Sequence, residues 1–266
     1  MLKDRILTAL VMAAAGLGLL FLLPPALFAI VAALLLLGAG GREAGRLAGL
    51  AGPIPWLIYG AVLLAIAAAV QLTLSPEQLI VPMAAAAIAW LCLLTWLARP
   101  AFGRQQRVLK LIALGIILVG AWLAISLLQA QSPWLVLLLV VIIAAADIGA
   151  YFSGKAIGGP KLAPAISPGK TRAGAAGGLL AATAITVTIV LVVPDSPFSP
   201  AAAAVIGFVL AAISIGGDLL MSLLKRQQGL KDTSSLLPGH GGLLDRFDSL
   251  GAALPFFALA WMWWGQ

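Results

Sequence analysis

The sequence predicts an all-α, polytopic integral membrane protein of about nine transmembrane helices, with its N-terminus in the cytoplasm and its C-terminus outside. Three observations predict it. The chain of 266 residues is 62% hydrophobic and 9% charged, where a soluble domain carries about 25% charged residues. Its apolar residues fall into runs close to the ~20 residues that a spanning helix needs. Its cationic residues all fall on one side of the topology those runs define.

The runs cover residues 6–23, 26–41, 55–74, 78–98, 108–128, 133–152, 173–193, 201–224 and 249–264. Lys3 and Arg5 before the first run resemble the start of a signal peptide. No small-x-small cleavage pattern follows and further apolar segments come directly after, so this reads as a retained first span. Pro24-Pro25 separates the first two runs, because proline ends a helix and biases the residue before it away from helix. Pro53 and Pro55 mark the entry to the third. Ser75-Pro76, Ser132-Pro133 and the stretch from Pro194 to Pro200 mark further turns. The second and last runs are the shortest.

Charge tests this topology. With the N-terminus inside, the cytoplasmic loops carry all 16 Lys and Arg residues. The outside loops carry none and hold only the acids Glu77 and Asp195. Trp261, Trp263 and Trp264 suit an interfacial belt at an outside C-terminus. The net charge of +7 is therefore a product of topology and calls for no nucleic acid partner. The single cysteine, Cys92, allows no internal disulfide and no thiolate metal site. Lying between Leu91 and Leu93, it reads as a small core residue.

Residues 1–130 are nearly free of functional groups. Their Ala, Leu and Gly content reads as helix packing, with room for homodimer contacts. Glu43, between Arg42 and Arg46, reads as part of a solvated loop pair. Residues 131–266 read as the catalytic region, with cytoplasmic loops at 153–172 and 225–248. Asp147 lies near the cytoplasmic end of the sixth run and Asp218 about two turns inside the eighth. An ionisable group at membrane depth costs at least a few kcal/mol, which makes it a functional candidate. Asp218 follows Gly216-Gly217, where a backbone or ligand can approach, and shares a helix face with Ser222 and Arg226.

Lys225-Arg226, Lys231-Asp232, Pro238-Gly239-His240-Gly241-Gly242 and Asp245-Arg246-Phe247-Asp248 follow. Glycines around a histidine let backbone N–H groups converge on an anion. Asp245 and Asp248 project to one side of a helix. Carboxylates without cysteine favour a hard cation such as Mg²⁺. Cations beside carboxylates suggest phosphate plus metal. The loop after Asp147 repeats the theme, with Lys155, Lys161, Lys170 and Arg172 among glycines. Gly169-Lys170-Thr171 matches only the end of a P-loop, since Pro164 stands where its first glycine belongs.

At these residues the sequence resembles the phosphatidate cytidylyltransferase (CDP-diacylglycerol synthase) family. The resemblance rests on Ser222, Lys225-Arg226, Lys231-Asp232, Ser234, Leu237, His240-Gly241-Gly242, Asp245-Arg246 and Asp248, which fill every fixed position of the family's C-terminal signature. A second block, Asp147 with Ala150-Tyr151-Phe152, then Ser167-Pro168, Lys170-Thr171, Gly174 and Gly177-Gly178, is similar to another family segment. It departs at Arg172 and Ala173, where the family often has Trp followed by Glu or Gln.

The resemblance implies transfer of CMP from CTP to phosphatidic acid, with release of pyrophosphate and a divalent metal. Asp218 and Asp245 would hold Mg²⁺, with Asp248 or Asp147 nearby and room for a second cation. Lys170, Lys225, Arg226 and Arg246 would clamp phosphates, with His240 as a hydrogen-bond donor. Ser167, Thr171, Ser222, Lys231, Asp232, Gly241 and Gly242 would complete the substrate contacts. The phosphatidate chains would stay in the bilayer and CTP would enter from the cytoplasm. Two other readings stay open: a CTP-dependent transferase acting on another lipid phosphate, and a transporter of a phosphorylated solute.

Overall fold

The computed structural model describes residues 2–194, 196–237, 239 and 241–264, with their side chains from Thr8 onward apart from Ala9 and Pro76. Among these residues the chain forms nine helices and one short hairpin. The helices are α1 (Leu2–Leu22), α2 (Pro25–Leu47), α3 (Pro53–Thr73), α4 (Glu77–Ala98), α5 (Arg107–Gln131), α6 (Pro133–Ile157), α7 (Arg172–Val192), α8 (Pro200–Gln227) and α9 (Leu244–Trp264). Between α6 and α7 lie β1 (Lys161–Ala163) and β2 (Ser167–Thr171), paired antiparallel. The architecture is all-helical as expected, and this short hairpin is a local addition to it.

Local chemistry sets the helix starts. Pro25, Pro53, Pro133 and Pro200 each stand in the first turn of a helix, where a missing N–H costs nothing and a fixed φ helps. Thr171 Oγ1 accepts from the Gly174 N–H at 3.0 Å and caps α7. Ser199 Oγ does the same for α8 through Ala202.

Each apolar run became a helix, and seven of them, α2 to α8, are long and apolar enough to cross a membrane. Helix α1 enters this count only through Leu10–Leu22, because most side chains before Leu10 lie outside the described residues, and α9 begins with Asp245, Arg246 and Asp248. Among the described residues seven helices thus qualify as spans by length and composition, where the sequence predicts about nine. The outward faces are apolar, with Leu72 85% and Leu180 72% exposed. Patches of this kind are unfavourable in water and suit lipid. The chain is a multi-pass membrane protein.

The polar loops are shorter than expected. Helix α6 continues to Ile157, past the expected edge at 152, because it still packs on α7 there. Gly154 lies against Thr171 Oγ1 and the Gly174 backbone. Helix α8 carries Lys225 and Arg226 inside it and ends at Gln227, whose Nε2 donates to the Pro100 and Phe102 carbonyls at 3.0 and 2.9 Å. Helix α2 runs to Leu47, with a π-helical stretch at Leu34–Ala39, so Arg42, Glu43 and Arg46 are helical residues and not loop residues. Cys92 is exposed, which corrects its reading as a core residue. Met83, Ala86, Trp90 and Leu93 take the inward face of α4, and Cys92 falls on the other.

Helix α5 is the most enclosed rod, buried along most of its length from Lys110 to Gln129. Polar side chains fasten its neighbours to it. Trp122 Nε1 donates to the Ala29 carbonyl at 2.8 Å, and Tyr59 Oη to the Leu111 carbonyl at 2.6 Å. Gln129 Nε2 reaches the Leu20 and Leu23 carbonyls. Elsewhere small residues set the spacing, as close approach in lipid requires. Helices α6 and α7 cross antiparallel on Gly149, Gly154, Gly174, Gly177 and Gly178. A Cβ at Gly178 would lie 2.7 Å from the Ala146 carbonyl oxygen, and one at Gly174 2.8 Å from that of Ala150. Gly217 does the same between α8 and α9, 2.8 Å from the Asp248 carbonyl oxygen.

A side chain at Gly177 would strike Ser153 and the Gly149 backbone. Gly177→Val is therefore expected to destabilise the fold by about 1–3 kcal/mol through overpacking, read as a lower thermal unfolding midpoint in detergent. Gly169→Ala meets open space at a glycine without positive φ and leaves that midpoint in place.

Candidate active site

The crossing of α6 on α7 and of α8 on α9 brings four chain segments to one place. Helix α6 presents Asp147, Tyr151 and Lys155. The hairpin presents Gly169 and Lys170. Helix α8 presents Asp218 and Lys225, and the first turns of α9 present Asp245, Arg246, Asp248 and Ser249. Two cavities lie between them. The first, of about 390 Å³, is lined by Asp147, Tyr151, Lys155, Lys170, Asp218 and Ser249 among others. The second, of about 450 Å³, is lined by Asp147, Asp218, Lys225, Asp245, Arg246 and Asp248, with Val140, Ile143 and Leu250 as an apolar wall. Asp147, Asp218 and Ser249 belong to both. Asp218 is the pivot, within electrostatic reach of Asp147 on one side and Asp248 on the other.

Two lysines of the site, Lys170 and Lys225, are held by carboxylates. Lys170, carried by β2, forms an ion pair with Asp218 Oδ2. The hairpin thus delivers a cation to an acid on another helix. Ser222 Oγ donates to Asp218 Oδ1 at 3.3 Å from the next turn of α8. Lys225 Nζ donates to Asp245 Oδ1 at 2.7 Å. The other oxygen of Asp245 is fully engaged. Oδ2 accepts from the Thr233 N–H at 2.8 Å, from Thr233 Oγ1 at 2.9 Å and from the Gly242 N–H at 2.9 Å. With its side chain 2% exposed, Asp245 is fixed through one oxygen and presents the other beside Lys225. Two ammonium groups standing on Asp218 and Asp245 mark where positive charge is stable.

The remaining residues singled out in the sequence separate by position. Arg246 is exposed and lines the second cavity. Arg226, Lys231 and Asp232 are exposed, and none of them lines either cavity. Thr171 is buried as the α7 cap and also borders the first cavity. Ser167 is half-buried in β2, opposite Ala163. Gly241 turns at φ 81. Gly242 is buried against Glu43 and Thr233. His240 lies outside the described residues.

Ser249, which borders both cavities, escaped the sequence reading, and so did two residues behind the site. Glu43 is 3% exposed, not solvated. Its carboxylate takes Ser234 Oγ at 2.6 Å and the Leu243 N–H at 3.0 Å on Oε1, and Thr233 Oγ1 and the Leu244 N–H, both at 2.8 Å, on Oε2. Thr233, 0% exposed, is the other. A signal for Glu43 existed: Gly40, Gly41, Ala44 and Gly45 surround it, and so many small residues on a helix announce a close neighbour.

Comparison with known proteins shows the family. The chain matches the model of the cytidylyltransferase family over residues 3–263. It is 41% identical to a phosphatidate cytidylyltransferase of Pseudomonas aeruginosa, over 100% of this chain and 99% of that one. It is 45% identical to phosphatidate cytidylyltransferases of Haemophilus influenzae, over 47% of this chain and 44% of that one, and of Bacillus subtilis, over 44% and 43%. With nearly its whole length matched, the chain belongs to the cytidylyltransferase family.

Proposed function

We propose that the chain transfers CMP from CTP to phosphatidic acid, giving CDP-diacylglycerol and pyrophosphate. One observation carries this reading: the carboxylates of Asp147 and Asp218 stand on the shared wall of two cavities whose far walls differ in character. The first cavity is edged by the glycine-bearing hairpin with Lys170 and by Lys155, surroundings suited to a nucleoside triphosphate. The second pairs Lys225 and Arg246 with the apolar Val140, Ile143 and Leu250, surroundings suited to a phosphate that carries acyl chains. The full-length relative from Pseudomonas aeruginosa supports the same substrates.

In this reading an oxygen of the phosphatidate phosphate attacks the α-phosphorus of CTP. The bond from that phosphorus to the bridging oxygen breaks, and pyrophosphate leaves. The attacking oxygen is already ionised at neutral pH, so no general base is required. Catalysis then consists of aligning two anions and neutralising their charge. Lys170 and Lys155 meet the triphosphate, and Lys225 and Arg246 meet the lipid phosphate. Arg226 and Lys231, with Asp232 beside them, lie outside the cavities, where the two cations steer CTP, and His240 donates a hydrogen bond to phosphate.

The acids suit Mg²⁺. Asp147, Asp218, Asp245 and Asp248 offer oxygen donors around one cavity. Among the described residues no three His, Cys, Asp or Glu side chains converge closely enough to hold an ion alone. That agrees with an ion bound through one or two carboxylates and completed by substrate phosphates and water. Asp218 and Asp245 would hold it, with Asp147 and Asp248 nearby, and it would supply charge neutralisation for the triphosphate. We further place the site on the cytoplasmic face of the inner membrane, since the 14 Lys and Arg residues from Arg42 onward then lie inside, joined by Lys3 and Arg5 where α1 also spans.

Asp218→Asn should lower CDP-diacylglycerol formation by about a hundredfold or more in purified protein, on the scale of lost electrostatic stabilisation; a rate within about threefold of wild type would remove Asp218 from the site. Chelation with EDTA is expected to abolish turnover and Mg²⁺ to restore it. Turnover that survives chelation would overturn the metal assignment. In a Cys92→Ala background, a cysteine placed at Gln106 should react with a membrane-impermeant maleimide only in inside-out vesicles, and one placed at Glu77 only in right-side-out cells. The reverse pattern would invert the topology.

A further inference from the structure

We propose that Glu43 is a positioning residue for the transfer reaction, acting through Thr233 on Asp245 and Lys225. It lies on α2, remote in sequence from everything it touches. Its two oxygens accept four hydrogen bonds, all from the loop before α9 or from the first backbone N–H groups of that helix. A carboxylate at a helix N-terminus is favoured by the exposed N–H groups and the helix dipole. Here it also fixes where α9 begins, and so where Asp245, Arg246 and Asp248 point.

Thr233 is held from two sides. Its hydroxyl donates to Glu43, while Arg46, one turn further along α2, donates from Nη1 to its carbonyl at 2.9 Å. The Thr233 N–H and hydroxyl then meet Asp245 Oδ2. A hydroxyl has one proton, so it serves one carboxylate at a time, and the other depends on its backbone donors. The path from Glu43 to Lys225 is thus Glu43, the Thr233 hydroxyl, the Thr233 N–H, Asp245, Lys225, with each hydrogen bond 2.8 Å or shorter. Gly242 records the same constraint. A Cβ there would lie 2.6 Å from both Glu43 oxygens and would strike Thr233 Oγ1. The second glycine after His240 is required by the passage of Glu43.

The inference rests on the proposed reaction for its readout. In Glu43→Gln an amide NH₂ replaces one oxygen, and in either orientation it faces the backbone N–H of Leu243 or Leu244. The loop shifts, while the walls that bind CTP and lipid remain. The expected result is a kcat about tenfold or more below wild type, with KM for CTP and for phosphatidate each within about threefold, since small misplacements cost rate more than binding. Thr233→Val, which removes the hydroxyl, should match that loss, and Thr233→Ser, which keeps it, should retain kcat within about threefold. The Glu43→Gln/Thr233→Val double variant should fall no more than about threefold below the worse single one, because residues on one path are not additive. A Glu43→Gln kcat near wild type, or losses that multiply in the double variant, would overturn the proposal. If Glu43→Gln does not yield folded protein, the Thr233→Val and Thr233→Ser pair decides it: equal kcat values sink it. An inactive wild type in the same assay would instead tell against the proposed reaction.

Discussion

Asp245 is the point on which the site depends, because it is a carboxylate taken almost wholly out of water. Such a group is strongly unfavourable unless its oxygens are hydrogen-bonded and its charge is met. The chain meets both demands with residues from three places. Lys225 comes from α8, Thr233 from the loop, and Gly242 from the turn that starts α9. Satisfying Asp245 therefore fixes the end of one helix, the start of another and the loop between them. Asp218 is held in a looser version of the same arrangement, with Lys170 from the hairpin as its partner. The more exposed pair exchanges its partner for substrate and metal the more readily of the two.

The glycines of this chain do different work from the one their motif suggests. Glycines near lysines invite a reading as a phosphate cradle. Gly174, Gly177 and Gly178 instead face α6 at backbone distance, and Gly217 faces α9. Their contribution to chemistry is indirect: with no Cβ between them, α6 and α7 approach until Asp147 and Lys170 border one cavity. Larger residues there would widen the cleft and separate the two substrates, whose reacting atoms must come within about 3–3.5 Å. The turn at Gly241, with its positive φ, belongs to the other category, where the backbone itself demands glycine.

Much of this was legible in the sequence, and the failures share a cause. The apolar runs located every helix because lipid makes hydrophobicity a direct record of span. Asp147, Lys170, Asp218, Lys225 and Asp245 stood out because charge is rare in such a chain, and the structure gathers all five around the two cavities. Helix ends were misplaced wherever polar residues continued a helix, as at Ser153 to Ile157 and Arg42 to Leu47, since composition reports solvent and not hydrogen bonding. Glu43 was misread for the same reason. Its neighbours Arg42 and Arg46 look like a solvated cluster, and its partners Thr233, Leu243 and Leu244 are invisible at that separation. Cys92 failed in the opposite direction, because an apolar run does not say which face of its helix looks inward.

A transfer between two anions can be catalysed by placed charge alone, but placed charge also attracts water. Water in the second cavity would compete with phosphatidate for the same α-phosphorus and would turn transfer into hydrolysis of CTP. The wall of Val140, Ile143 and Leu250 bears on that choice. It offers water no hydrogen bond and offers a lipid phosphate an apolar approach for its chains. Lys170 and Lys225 would be neutralised by their own carboxylates until a phosphate displaces them. The pairing of Lys170 with Asp218 and of Lys225 with Asp245 is then a resting state: it keeps charge stable beside lipid and releases it to the substrate that can bring equal charge of its own.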